Sequence, residues 1–342
     1  MFSPVINTPP LRRLSAGLVV CAAAICGGPA ATAQEPLPSP DDPPPLYLAE
    51  PEGDAILPGF PRAVRPEQFP TWPRWFASAS GLVMTRTLPS GTTSVAPDGL
   101  TFDTADAEAS WPGGIDLRIG RWFGARQHHG VEMIYWGVYN IGSTTAATAG
   151  ATTGTLQRSD LVSDVEINWL YSLWERPEFL PPDRRVNLMW LAGFRFFQLE
   201  DVLTLESGST DLNVATNNNL YGGQVGAKFD WRFAPRWRFS AVPKFLLAGN
   251  AITNTSTLDS TGVYSSLGVF SWLGSVDTGI NWDITERWSL WMGYRVVGVG
   301  NISQADQQWP SVIPTSAGEL PGIAAGSESI IHGGFAGFEA RY

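Results

Sequence analysis

Cysteine is almost missing from this 342-residue chain. It has two, Cys21 and Cys26, and both fall in a leader-like segment. The remainder of the chain can therefore carry no disulfide, zinc–thiolate site or cysteine nucleophile. Histidine is scarce too, with three residues: His128 and His129 in a short turn, and His332 near the end. Two adjacent histidines with no further ligand at a suitable spacing read as a solvated turn. No His-Glu-x-x-His pattern, phosphate loop or calcium loop occurs. No serine sits in a nucleophile elbow, although a Ser-His-Asp site need not be local in sequence. The chain is thus expected to hold no catalytic residue, metal or cofactor, and not to be an enzyme. Charged residues make up only 16% and the formal charge is −10, which argues against a nucleic-acid partner.

The chain is rich in glycine (36 residues) and tryptophan (15), with a 12% aromatic share and a mean hydropathy of −0.03. Such a composition suits many strands that face lipid on one side and polar contents on the other. The start reads as an export address. Arg12 and Arg13 precede the apolar run Leu14 to Cys26, Pro29 breaks it, and Ala31-Thr32-Ala33 offers a small-residue cleavage site. The run is too short for a membrane anchor. Removing 1–33 as a signal peptide takes Arg12 and Arg13 with it, so the formal charge moves from −10 to −12. Residues 34–73 are Pro-rich and acidic, a composition that gives an extended periplasmic tether. Residues 74–342 form the folded part.

Past Trp75 the polarity alternates with a period of two, the mark of half-buried strands. Val165, Ile167, Trp169 and Tyr171 oppose Asp164, Glu166 and Asn168. Tyr221, Val225, Ala227, Phe229, Trp231 and Phe233 oppose Gln224, Lys228, Asp230 and Arg232. Similar runs around 115–120, 131–136, 188–196, 237–247, 276–282 and 288–295, the weaker run 75–85 and the terminal strand bring the count to about ten. Each is near the length that crosses a bilayer at a tilt. In the last stretch Phe338, Ala340 and Tyr342 oppose Gly337, Glu339 and Arg341. A strand that ends on an exposed ring is expected to close against the first one, leaving no free edge.

The connections are sorted as well. Four are short: Gly124 to Gly130, Glu175 to Arg184, Ala234-Pro235-Arg236 and Thr285-Glu286-Arg287. Five are long and rich in Gly, Ser, Thr and Asn: 87–113, 142–159, 201–218, 249–267 and 299–328. Strict alternation of long and short predicts an all-β, transmembrane up-and-down antiparallel β-barrel of about 10 strands, with long extracellular loops and short periplasmic turns. Trp122, Phe123, Trp174, Trp231, Phe233, Trp237, Trp282, Trp288 and Tyr342 flank the short turns as an expected aromatic girdle. Pro243 cannot donate a ladder bond, so a bulge or bend is expected there. The strand 187–197 is apolar on both faces except at its ends, which suits a packed interior.

Inward-phase charges of both signs are the candidate lumen lining: Asp116, Arg118, Glu132, Asp164, Glu166, Arg195, Lys228, Asp230, Lys244, Asp277, Arg295, Glu339 and Arg341. Asp164 and Glu166 lie one pleat apart and would repel, so Arg195 on the next strand is their expected partner. The runs Trp75-Phe76-Ala77-Ser78-Ala79, Ala192-Gly193-Phe194-Arg195-Phe196-Phe197, Asn219-Leu220-Tyr221-Gly222-Gly223-Gln224-Val225-Gly226 and His332-Gly333-Gly334-Phe335-Ala336-Gly337-Phe338-Glu339 resemble the planctomycetal beta-barrel porin family (type seven). The resemblance implies an outer-membrane barrel and carries over no binding residue. The expected location is the outer membrane of a Gram-negative-type envelope. Expected partners are outer-membrane lipid, the barrel-assembly machinery through the C-terminal strand, and small solutes. The leading expectation is a narrow, weakly selective pore for small solutes or ions. The alternatives are a closed structural or surface-display barrel with a charge-filled lumen and, third, an outer-membrane hydrolase, since some ten strands lie near the number that side chains fill.

Overall fold

The structure is a computed structural model, and it describes residues 74–124, 127–149, 152–173, 185–208 and 210–342. The expected signal peptide, the tether, the turn 175–184 and Trp174 lie outside the described residues. The strands are β1 (Trp75–Arg86), β2 (Thr93–Val95), β3 (Thr101–Asp103), β4 (Gly113–Phe123), β5 (His129–Ile141), β6 (Thr144–Ala149), β7 (Thr152–Ser172), β8 (Val186–Ser207), β9 (Thr210–Ala234), β10 (Trp237–Leu258), β11 (Thr261–Asp283), β12 (Trp288–Ile302) and β13 (Ser327–Arg341). Ten of them close a barrel: β1, β4, β5, β7 and then β8 to β13, each antiparallel to the next, with β13 returning to β1. The seam is paired from Phe76↔Arg341 to Arg86↔Ile331. Two backbone bonds lock its end, Trp75 N to Tyr342 O at 2.7 Å and Tyr342 N to Trp75 O at 3.0 Å. This closure satisfies the edge that the final strand would otherwise expose.

Three of the stretches read as loops are strand instead. β9 runs for 25 residues and β11 for 23, against roughly 9–11 needed to cross a bilayer. Most of 201–218 and 249–267 is paired hairpin. The first turns tightly at Gly208 (φ 59°) and the second at Asp259 and Ser260 (φ 47° and 74°). Consecutive left-handed residues match the twist of a two-residue hairpin. Most of 142–159 is the β6–β7 hairpin. At about 3.3 Å per residue and a tilt near 40°, the extra length raises these hairpins about 35 Å beyond the bilayer-crossing span. Polarity inverts on the way up. The outward phase of β8 runs Trp190, Ala192, Phe194, Phe196 and then Gln198, Glu200, Val202, Thr204, Glu206, while the inward phase of its upper half holds Leu199, Leu203 and Leu205. Thr, Asn and Ser on the wet face disguised these strands as loops.

The connection 303–326 folds into the mouth instead of reaching outward. Ser303, Gln304, Ala305, Asp306, Gln308 and Trp309 are all buried. Asn218 Nδ2 donates to Ser303 O at 2.7 Å and Ser303 N donates to Asn218 Oδ1 at 2.9 Å. The connection 87–112 covers it from the other side through the small β2–β3 hairpin, whose Val95 bridges Val312. The expected bulge at Pro243 is absent. The β9–β10 ladder lapses at Val242 and Pro243, then resumes at Lys244↔Gly226 in the register it had at Ala241↔Phe229. Pro243 costs a rung toward β9 and keeps its pairing with Val276 on β11; the register shift on this ladder lies instead at Trp237/Arg238. A missing donor therefore interrupts bonding here without inserting a residue.

Candidate functional site

Five layers of side chains fill the lumen. Nearest the short turns, Trp122, Leu170, Met189, Leu191 and Val242 pack with Phe76. Above them lies a belt of charge. Arg195 donates to Asp164 through Nε at 3.0 and 3.1 Å, and Nη1 reaches Ser275 Oγ at 3.1 Å. Its Nε is 3.8 Å from Glu166, which Lys244 Nζ binds at 2.8 and 2.9 Å. The two carboxylates one pleat apart are thus held by one arginine and one lysine from other strands. Asn168 donates to Glu166 at 3.0 Å and to Glu132 at 3.2 Å, while Gln224 reaches Glu166 at 2.8 Å. On the opposite wall Arg295 joins Asp277 through Nε and Asp116 through Nη2, each at 2.7 Å, with its guanidinium 5.0 Å over the ring of Trp136. Beside the apolar floor, on the β9–β10 and β13 side, Ser240 donates to Asp230, and Arg341 Nε reaches Glu339 at 2.8 Å. Arg118 and Lys228 are held less closely, 3.9 Å from Glu132 and 4.0 Å from Asp230. All thirteen inward-phase charges predicted from sequence face the interior.

Over the belt sits an apolar layer that includes Leu82, Ile134, Trp136, Phe197, Leu220, Leu246 and Val297. A second ionic cluster closes it from above, and sequence reasoning missed it. Arg86 lies 2.7 Å from Asp160 and 2.9 Å from Asp201. Arg158 joins Asp201 at 3.1 Å, Asp306 at 2.8 and 3.0 Å and the carbonyls of Ala107 and Thr104 at 3.2 and 3.3 Å. Ala305 N adds a bond to Asp201 Oδ2 at 3.0 Å. The cluster clamps the inward connection onto β1, β7 and β8. Its signal was available: Arg158 and Asp160 share the phase of Asp164 and Glu166, as Asp201 shares that of Arg195. Capping it is a fifth, apolar layer in which Leu203, Leu205, Leu212 and Leu258 meet Phe102, Trp309 and Ile313. Buried charges here meet opposite charges at close range, the condition under which they are tolerated.

Outside, the wall is apolar along the lower strands, with Ile167, Trp190, Phe194, Val225, Phe245 and Met292 exposed. Phe123, Trp231, Phe233, Trp237, Trp282, Trp288 and Tyr342 stand exposed beside the short turns, and Trp237 stacks on Trp282 at 5.8 Å. Trp122 departs from the expected girdle. It is 5% exposed and faces the lumen, because adjacent residues of a strand must point to opposite faces and Phe123 takes the outer one. The far end is acidic. Asp98, Asp106, Glu108, Glu206, Asp211, Asp259, Glu319 and Glu328 are exposed there, and segments 87–112, 196–222, 249–272 and 297–329 contain no lysine or arginine. The Ser207 hydroxyl and the Leu100 N–H hold Asp98 below the usual carboxylate range.

This arrangement defines a class, the closed ten-stranded antiparallel barrels of the transmembrane kind. No family model matches the chain, and no curated protein matches it. Among solved structures it is similar to the outer membrane protease OmpT from Escherichia coli, at 10% identity and a TM-score of 0.52, covering 81% of this chain and 100% of that one. That similarity shows the fold. The translocator domain of the autotransporter NalP from Neisseria meningitidis also matches, at 10% identity and a TM-score of 0.36, over 81% of this chain and 90% of that one. So does the toluene transporter TodX from Pseudomonas putida, at 12% identity and a TM-score of 0.32, over 80% of this chain and 90% of that one. Neither likeness is close enough to carry argument.

Proposed function

We propose that this protein is a closed outer-membrane barrel that holds a stiff, acidic hairpin surface outside the cell, and that it does not conduct solutes. The packed lumen carries the reading. Ionic clusters alternate with apolar layers along the lumen, and the void among the lower side chains has a volume of about 40 Å³, room for about three waters. A diffusing solute would have to break paired charges at each ionic layer, and each break costs about 3–5 kcal/mol. The narrow pore expected from the inward charges is therefore the weaker reading. The runs that resemble the planctomycetal beta-barrel porin family fall on β1, β8, β9 and β13, where the wall and the packed lumen are built.

The apolar lower wall and its ring of exposed aromatics support a bilayer setting with the short turns in the periplasm. The hairpins, wet outside and apolar inside, then stand in the external medium. The hydrolase alternative draws nothing from the histidines. His128 Nδ1 lies 3.0 Å from the carbonyl of Ser172, His129 stacks on Trp169, and His332 bonds the hydroxyl of Tyr294 at 2.6 Å. The test is topological. No cysteine occurs after Cys26, so Ser260→Cys at the β10–β11 tip gives one reporter thiol. A membrane-impermeant maleimide should label it on intact cells; labelling only after lysis would overturn the orientation.

A further inference from the structure

The chain contains two lysines, Lys228 and Lys244, and both line the same small lumen cavity near the short-turn end. Arg118 lines it as well, with its guanidinium 5.6 Å over Trp291. Two carboxylates, Glu132 and Glu339, also line it; Lys244 is engaged with Glu166 at 2.8 Å, and Glu339 with Arg341 at 2.8 Å. The other two cations are not matched in this way. Arg118 Nε is buried with no hydrogen-bond partner, and its nearest carboxylate, Glu132, is 3.9 Å away. Lys228 Nζ is 4.0 Å from Asp230. Its side chain is 26% exposed, so solvent reaches the cavity at Lys228, on the short-turn side.

A buried guanidinium nitrogen without an acceptor is costly, and one lone oxygen or halide in the cavity would relieve it. Two loosely paired cations beside an apolar wall of Phe76, Trp122 and Leu170 favour a weakly hydrated anion over water. We propose that this cavity binds one small monovalent anion, of chloride or bromide size, between Arg118 and Lys228. A volume of about 40 Å³ admits such an ion with a water or two and excludes a hexose-derived carboxylate. The site goes beyond the proposed surface role and does not depend on it.

With two lysines in the chain, ¹³Cε-lysine labelling of the refolded full-length barrel gives two side-chain signals, which Lys228→Met assigns. Sodium bromide titrated against sodium gluconate at constant ionic strength should move the Lys228 signal along a saturating curve. At ten times the dissociation constant, bromide should also raise the folding equilibrium constant about 11-fold over gluconate. Lys228→Met, at the solvent-reached edge, should weaken bromide binding at least tenfold while the barrel still folds. Crystals grown in bromide should show one anomalous peak beside Arg118. A Lys228 shift that is linear in bromide, or equal in gluconate, would overturn the site, as would unchanged bromide stabilisation in Lys228→Met.

Discussion

Replacing Arg158 by Met should loosen the connection that seals the mouth. Arg158 is 2% exposed and holds Asp306 at 2.8 Å and Asp201 at 3.1 Å. Removing one partner of a buried pair costs about 3–5 kcal/mol, because the other charge is left uncompensated. Arg86 still neutralises Asp201 at 2.9 Å, so Asp306 bears most of the loss and the lower figure, about 3 kcal/mol, applies. At about 1.4 kcal/mol per tenfold, the opened form of 303–309 should become roughly 150 times more populated. Native-state hydrogen exchange in detergent reads this directly. The amides of Ser303 and Ala305, bonded to Asn218 and Asp201, should exchange faster by that factor while barrel-strand amides keep their protection. Adding Asp306→Leu to Arg158→Met should recover much of the loss, since an apolar pair of similar size replaces an orphaned carboxylate. If the Ser303 and Ala305 rates stay within fivefold of wild type in Arg158→Met, the ionic cluster is not what holds the plug.

Packing sets three further outcomes. Gly222→Ala should destabilise the barrel by about 1–3 kcal/mol, because a Cβ there would lie 2.0 Å from Leu247 O and 2.8 Å from Ala248 Cα; its neighbour Gly223→Ala, with nothing within 4 Å, should be silent. Heat-modifiability on gels compares the two. Trp122→Ala should cost about 3–5 kcal/mol in detergent, whereas Trp288→Ala on the outer wall should leave detergent stability nearly unchanged and weaken insertion into vesicles. Converting Asp98, Glu206, Asp211 and Asp259 to their amides should reduce binding of polylysine to proteoliposomes, and the wild-type binding should fade above about 0.5 M salt as the charges are screened.

The lower half of the barrel was legible because two solvents impose opposite demands on alternate residues. Trp169 and Ile167 must face lipid while Asn168 and Glu166 must not, and no other secondary structure satisfies that order. Closure was legible for the same reason at Phe338, Ala340 and Tyr342. The upper half was not, since Asn213, Asn217 and Thr253 on a wet outer face have the composition of loops. Only the change of apolar phase, from Tyr221 outward to Leu212 and Val214 inward, distinguishes them. The pairing of Asp164 with Arg195 could be anticipated from register within neighbouring strands. The clamp of Arg158 on Asp306 could not, because 148 residues separate them and the contact exists only once the 303–326 connection turns inward. Trp122 was misplaced by weighing its type over its phase.

The central claim is that the lumen is closed, and a planar-bilayer recording of the purified, refolded barrel tests it most directly. Wild type should give no steady unitary current at high protein load in about 1 M potassium chloride, where surface charge is screened, and Arg158→Met should give at most brief openings. Steady, reproducible unitary conductance from wild type, with reversal potentials that shift in Arg195→Ala, would show a continuous water path through the charge belt and contradict the closed barrel.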